Sequence, residues 1–185
     1  MAKGLQPGEV IFIGKQKIEK PLIRIINYNQ TEIEEIQIDA VEEFYPFKDK
    51  PTITWMNIDG LHDVSIIKKI GEFVGIHPLI MEDIANTGQR PKLEMSDDYV
   101  FLSLKMLYLD DNKNNIASEQ FSLLFGKNYV ISFQEKVGDV FDSIRTRLHK
   151  SIPRTKLMTS DYLAYALIDA IVDHYFVSLE NIAEQ

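Results

Sequence analysis

Tyr99-Val100-Phe101-Leu102-Ser103-Leu104-Lys105-Met106-Leu107-Tyr108 is followed by the polar run Asp110 to Asn115, by Gln120-Phe121-Ser122-Leu123-Leu124-Phe125, and, after Gly126-Lys127-Asn128, by Tyr129-Val130-Ile131-Ser132-Phe133. Three β-branched and aromatic runs separated by short polar or glycine-containing turns predict an antiparallel meander. Before it, Val10 to Gly14, Leu22 to Tyr28 and Thr52 to Ile58 read as strands, the first two as a pair, and Val41 to Phe47 as a short helix. Asp63 then caps a helix through Val74 that Gly75 closes, and Pro78 opens a second to Ala85. After the meander come a helix from Asp139 to about Lys150 and a longer one from Thr159. Strands and helices mixed in this order predict an α/β fold with a mixed sheet and helices on both faces.

Composition narrows the function. With 185 residues and 45% hydrophobic content, the chain can bury the core of one domain. It has no cysteine, hence no disulfide framework, thiolate metal site or cysteine nucleophile, as suits a reducing compartment. A net charge of -8 with 20 dispersed basic residues counts against nucleic acid and favours cations. Met1 to Gly8 has no apolar core of signal-peptide length. Tyr162 to Leu179 comes nearest to a membrane span, and Asp169, Asp173 and His174 interrupt it.

From Thr159 to Gln185 there is no Pro or Gly, and Leu163, Leu167, Ile168, Ile171, Val172, Tyr175, Phe176 and Leu179 recur at helical spacing. No stop signal closes this helix, so a parent chain that continues it is expected. At about 100° per residue, Asp169, Asp173, Glu180 and Glu184 share one face. Like charges at i,i+4 cost a helix about 0.2–0.5 kcal/mol per pair, so the stripe is either a solvated face or one that meets a cation or another subunit. Glu82-Asp83, whose side chains splay about 100° apart on a short helix, is a second set of hard oxygen donors of the kind Mg2+ or Ca2+ accepts.

Other candidates fail. Asp110 to Asn115 begins like a calcium loop, but Asn115 stands where that loop needs Gly and Phe121 where it needs Glu. His62, His77, His149 and His174 lack zinc-site spacing, and His77 before Pro78 suits helix capping. No phosphate loop or nucleophile elbow is present, and nothing in the local sequence makes an enzyme.

The segment His77-Pro78-Leu79-Ile80-Met81-Glu82-Asp83-Ile84-Ala85-Asn86-Thr87-Gly88-Gln89-Arg90-Pro91-Lys92 closely resembles the signature of the CorA magnesium-channel family. The likeness extends over Trp55 to His62, Glu119 to Ser122, Ser132 to Asp142, and Asp161 through Phe176. It implies an α/β/α sandwich with a central mixed sheet over residues 1–157, a cytosolic regulatory domain, and the beginning of a long C-terminal stalk helix over 158–185. Two membrane helices and a Gly-Met-Asn selectivity motif would follow in a homopentameric channel for Mg2+ and also Co2+, placing this domain on the cytoplasmic side of the cell membrane. By the same likeness Glu82 and Asp83 match regulatory magnesium-site acids at the subunit interface. Asp169 and Asp173 match further acids near it, and the peptide carbonyl of Leu5 is another ligand. Ca2+, Co2+ or Mn2+ are ions the same carboxylates would take in place of Mg2+. Two alternatives stand beside this reading: the domain of a zinc-transporting relative, and a stand-alone ligand-binding or interaction domain that shares the fold.

Overall fold

The computed structural model describes residues 8–109, 116–150 and 159–183. β1 (Leu22–Tyr28) and β2 (Ile33–Ile38) are followed by a 3-10 turn over Val41–Phe44 that runs into α1 (Tyr45–Lys48). Then come β3 (Ile53–Asp59), α2 (Val64–Val74), α3 (Pro78–Ala85), β4 (Lys92–Met95), β5 (Val100–Leu109), β6 (Ile116–Phe125), β7 (Tyr129–Gln134), α4 (Asp142–Lys150) and α5 (Ser160–Ala183). All seven strands form one sheet in the order β2-β1-β3-β7-β6-β5-β4. β3 and β7 run parallel, and every other neighbouring pair is antiparallel. The expected mixed sheet is present, with β5-β6-β7 as its meander.

Two cores follow from the two-residue period of the strands. On one face Ile23, Ile25, Met56, Ile58, Phe101, Ile131 and Phe133 pack against α2 and α3 through Ile67, Ile70, Ile80 and Ile84. On the other, Ile26, Trp55, Phe121, Leu123 and Val130 pack against α4 and α5 through Phe141, Ile144, Leu148, Leu163, Leu167 and Ile171. α5 is long and apolar enough to cross a membrane by length and composition. In this fold its inner side instead covers the sheet, while Tyr165, Phe176 and Leu179 on its outer side are exposed.

The caps agree with the sequence. Asp63 Oδ1 accepts the Ser65 N–H at 3.0 Å, and Gly75 closes α2 with φ 86°. His77 is the N-cap of α3, where its Nδ1 accepts the Leu79 N–H at 3.2 Å. Three strand assignments change. Val10 to Gly14 is no strand and does not pair with β1, whose neighbours are β2 and β3. Ile13 instead exchanges backbone bonds of 2.9 Å with Ala85 and Thr87, which ties the segment to the end of α3. β2 and β4 are sheet-edge strands, half polar and short, that the hydrophobic pattern does not announce. Asp110 to Asn115, read as a hairpin tip, lies outside the described residues.

A polar seam is buried within the sheet. Glu119 is 1% exposed, and neither of its carboxylate oxygens has a hydrogen-bond partner among the described residues. Burial pushes its pKa up to about 8, against the pull of Lys17 and Lys136 and with the help of Glu135 and Asp59. Its folded-state pKa is therefore raised above that of the unfolded chain. The stability linked to this proton is fully present below about pH 4.5 and is lost as pH rises towards about 8. Glu119→Gln should flatten this dependence, which is at most about 1.4 kcal/mol per pH unit. Urea unfolding at pH 5, 6.5 and 8 measures it, and a variant with the wild-type slope would assign the pH dependence to another group.

Candidate metal centre

The candidate acids fall into two sets. Glu82 and Asp83 sit in the second turn of α3, a helix started by the His77 cap and by Pro78 at its first position. The His77 N–H also donates to the Tyr99 hydroxyl at 3.1 Å, tying the helix entrance to the sheet. α3 lies close against α2 because Gly71 has no side chain: a Cβ there would come within 1.9 Å of Met81 Sδ. Ile80, Met81, Ile84 and Ala85 are thereby buried, and Glu82 and Asp83 are left half-buried at the rim.

Neither carboxylate is free. Glu82 Oε2 accepts the Gly8 N–H at 2.9 Å. Asp83 Oδ1 accepts from Gln89 Nε2, and Asp83 Oδ2 pairs with Lys92 Nζ. Lys92 also reaches Glu94 Oε1 at 2.5 Å. Burial pulls the Lys92 pKa down, but hydrogen bonds to Asp83 and Glu94 outweigh it and the ammonium is held above its ordinary range. Asp83 thus already holds one cation from its own chain, which shows that its oxygens accept positive charge where they stand.

Asp169 and Asp173 lie on α5, on the other side of the sheet, and both are exposed as their spacing predicts. Exposed Tyr165, Val172 and Phe176 surround them in sequence, so the acids sit on a mixed, largely apolar face. Glu180 is exposed on the same helix; Glu184 and Leu5 lie outside the described residues. Within one chain the two sets do not converge: among the described residues no group of three or more His, Cys, Asp or Glu side chains is arranged to hold a metal. The partners of Asp83 were not read from the sequence. Gln89 and Lys92 stand in the quoted signature, six and nine residues beyond Asp83, but a contact made by a chain reversal leaves no periodic signal.

Residues 51–185 match the family model described as CorA-like Mg2+ transporter protein. The chain belongs to this family. It is 46% identical over 183 residues to the cobalt/magnesium transport protein CorA of Thermotoga maritima, covering 99% of this chain and 52% of that protein. Identity to the putative metal ion transporter YfjQ of Bacillus subtilis is 28% over 155 residues, covering 83% of this chain and 44% of that protein. The chain therefore spans about half the length of these curated relatives. Among solved structures, the soluble domain of CorA from Methanocaldococcus jannaschii superposes with a TM-score of 0.60 at 13% identity, covering 86% of this chain and 60% of that one. The ZntB cytoplasmic domain from Vibrio parahaemolyticus superposes with a TM-score of 0.58 at 18% identity, covering 88% and 63%. Both likenesses concern the fold, and they match the CorA-type sandwich expected from the signature.

The close approach at Gly71 positions the α3 acids. Gly71→Val should cost about 1–3 kcal/mol in urea unfolding, with part of the loss recovered by adding Met81→Ala. An unchanged stability would mean that α3 is held by other contacts.

Proposed function

We propose that this domain of a CorA-family transporter senses a divalent cation, chiefly Mg2+, through acids brought together between copies of the chain. The observation that carries this reading is the placement of Glu82 and Asp83 on one side of a continuous sheet and of Asp169 and Asp173 on the other. One chain cannot close such a set around one ion, but two neighbouring copies can. In this reading residues 1–157 are the regulatory sandwich, and 158–185 begin a stalk helix leading towards the membrane part of a homopentamer.

The donor set favours hard ions. Carboxylates without cysteine or paired histidine suit Mg2+, with Ca2+, Co2+ or Mn2+ as substitutes, better than a zinc-selective site. A bound divalent ion supplies the positive charge that offsets acids facing each other across the contact. Asp83 of one copy and the α5 acids of its neighbour hold the closed packing when that charge is present, and repel one another when it is not. Such a ligand shifts the equilibrium only by its differential affinity for the two arrangements, so the acids that supply this difference set the sensitivity. The Lys92 pair modifies the balance, because Asp83 in a separate chain is already neutralised.

The test uses the longer protein with its transmembrane part. Asp83→Asn keeps the side chain's size and removes its charge, and should raise the Mg2+ concentration giving half-inhibition of current by several-fold. Asp83→Lys should hold the channel closed with little dependence on Mg2+. Unchanged inhibition curves for both variants would remove Asp83 from the sensor.

A further inference from the structure

Lys92 opens β4, the outermost strand of the sheet, in register with Ser103 of β5. Its ammonium lies over the Phe101 ring, 5.8 Å from the ring centroid. From there the ammonium reaches two carboxylates of unequal burial: the Asp83 side chain is 14% exposed and that of Glu94 46%. Glu94 lies two residues farther along the same strand and so projects from the same side. The other oxygen of Asp83 is taken by the Gln89 amide. Both acceptors of the candidate metal ligand are thus filled by groups from the segment that follows it, and the ammonium has a second, more exposed partner within reach.

We propose that Lys92 is a built-in competitor for the cation at Asp83: its ammonium occupies the carboxylate until a divalent ion displaces it, and Glu94 then keeps it paired. This inference rests on the reading of Asp83 as a cation ligand and adds what sets the threshold. The exchange moves no proton. Lys92 stays charged throughout, and it gives up one of the two carboxylates it holds while keeping the other. A divalent ion therefore gains the difference between its own attraction to Asp83 and that of the tethered ammonium. The threshold lies higher than a free carboxylate at this position would give. Because a monovalent cation tethered nine residues away is always present, the threshold is raised by the modest factor that one ion pair supplies.

Lys92→Met keeps an unbranched side chain of similar length and removes the charge. In a single chain Asp83 holds Mn2+ only weakly, without the neighbour's acids, but the midpoint of amide NMR broadening around residues 82–92 still reports that affinity without any transport measurement. Lys92→Met should lower that midpoint by roughly two- to fivefold, the worth of a partly buried ion pair near the surface. Arg90→Gln, an equal change of charge two residues before β4, should leave it in place. Asp83→Asn should abolish the broadening in both the wild-type and Lys92→Met backgrounds. If the wild-type broadening depends on Asp83 but Lys92→Met leaves the midpoint unchanged or raises it, the competitor is overturned and Asp83 remains a ligand. If broadening is independent of Asp83 in every variant, both the competitor and the Asp83 reading fall. Signals outside residues 82–94 that keep their positions in Lys92→Met establish that the fold is intact, and Lys92→Gln should move the midpoint in the same direction.

Discussion

The parallel pairing of β3 with β7 joins an antiparallel three-stranded unit, β2-β1-β3, to an antiparallel four-stranded one, β7-β6-β5-β4. A chain of buried hydrogen bonds crosses this junction. Trp55 Nε1 donates to Ser132 Oγ at 2.9 Å, Ser132 Oγ to Asn57 Oδ1 at 2.7 Å, and Asn57 Nδ2 to Asp59 Oδ1 at 3.1 Å, where Gln134 Nε2 also donates at 2.5 Å. Every one of these side chains is almost fully buried, so each bond broken would leave an unsatisfied group in the core. Burial raises the Asp59 pKa against the lowering effect of the Gln134 and Asn57 bonds. Arg145 lies over Trp55, 5.1 Å from its ring centroid, and pairs with Asp139, which links α4 to the same junction.

Because the junction makes one continuous sheet, everything attached to it is sorted to one face or the other. The β3–α2–α3 segment covers one core and carries Glu82 and Asp83; α4 and α5 cover the other and carry Asp169 and Asp173. The sheet that stabilises the domain is therefore also what keeps the two acid sets apart. On the proposed reading, cation binding that needs both sets would be a property of the contact between copies rather than of a single chain, and an ion would then report on assembly. Within the single chain Lys92 is the counter-ion that Asp83 already holds.

Much of the fold was legible because local chemistry and tertiary role coincide. The Asp63 and His77 caps, Gly75 at the end of α2, and the three meander strands are each written in a few adjacent residues. The acidic stripe was legible for the same reason: helical spacing alone puts Asp169 and Asp173 on the exposed side. What failed depended on contacts distant in sequence. Val10 to Gly14 has the residues of a strand, but its backbone bonds are taken by Ala85 and Thr87. β4, with Lys92-Leu93-Glu94-Met95, is half charged because only one of its edges is paired and little of it is buried. The burial of Glu119 is a tertiary fact, and the Lys92–Asp83 pair, though both residues stand in one short stretch, is made by a chain reversal that no periodicity records.

Whether a cation at Asp83 is shared between copies of the chain decides the proposed function. A crystal structure of the assembled longer protein grown with Mn2+ or Co2+, with anomalous scattering used to locate the ion, measures this directly. An anomalous peak is expected within about 2.1 Å of an Asp83 carboxylate oxygen, or one water beyond it, with an acid of a neighbouring copy completing the site and Lys92 left on Glu94 alone. A peak whose protein ligands all come from one copy, or no peak at Asp83 with Lys92 still paired to it, would overturn this reading.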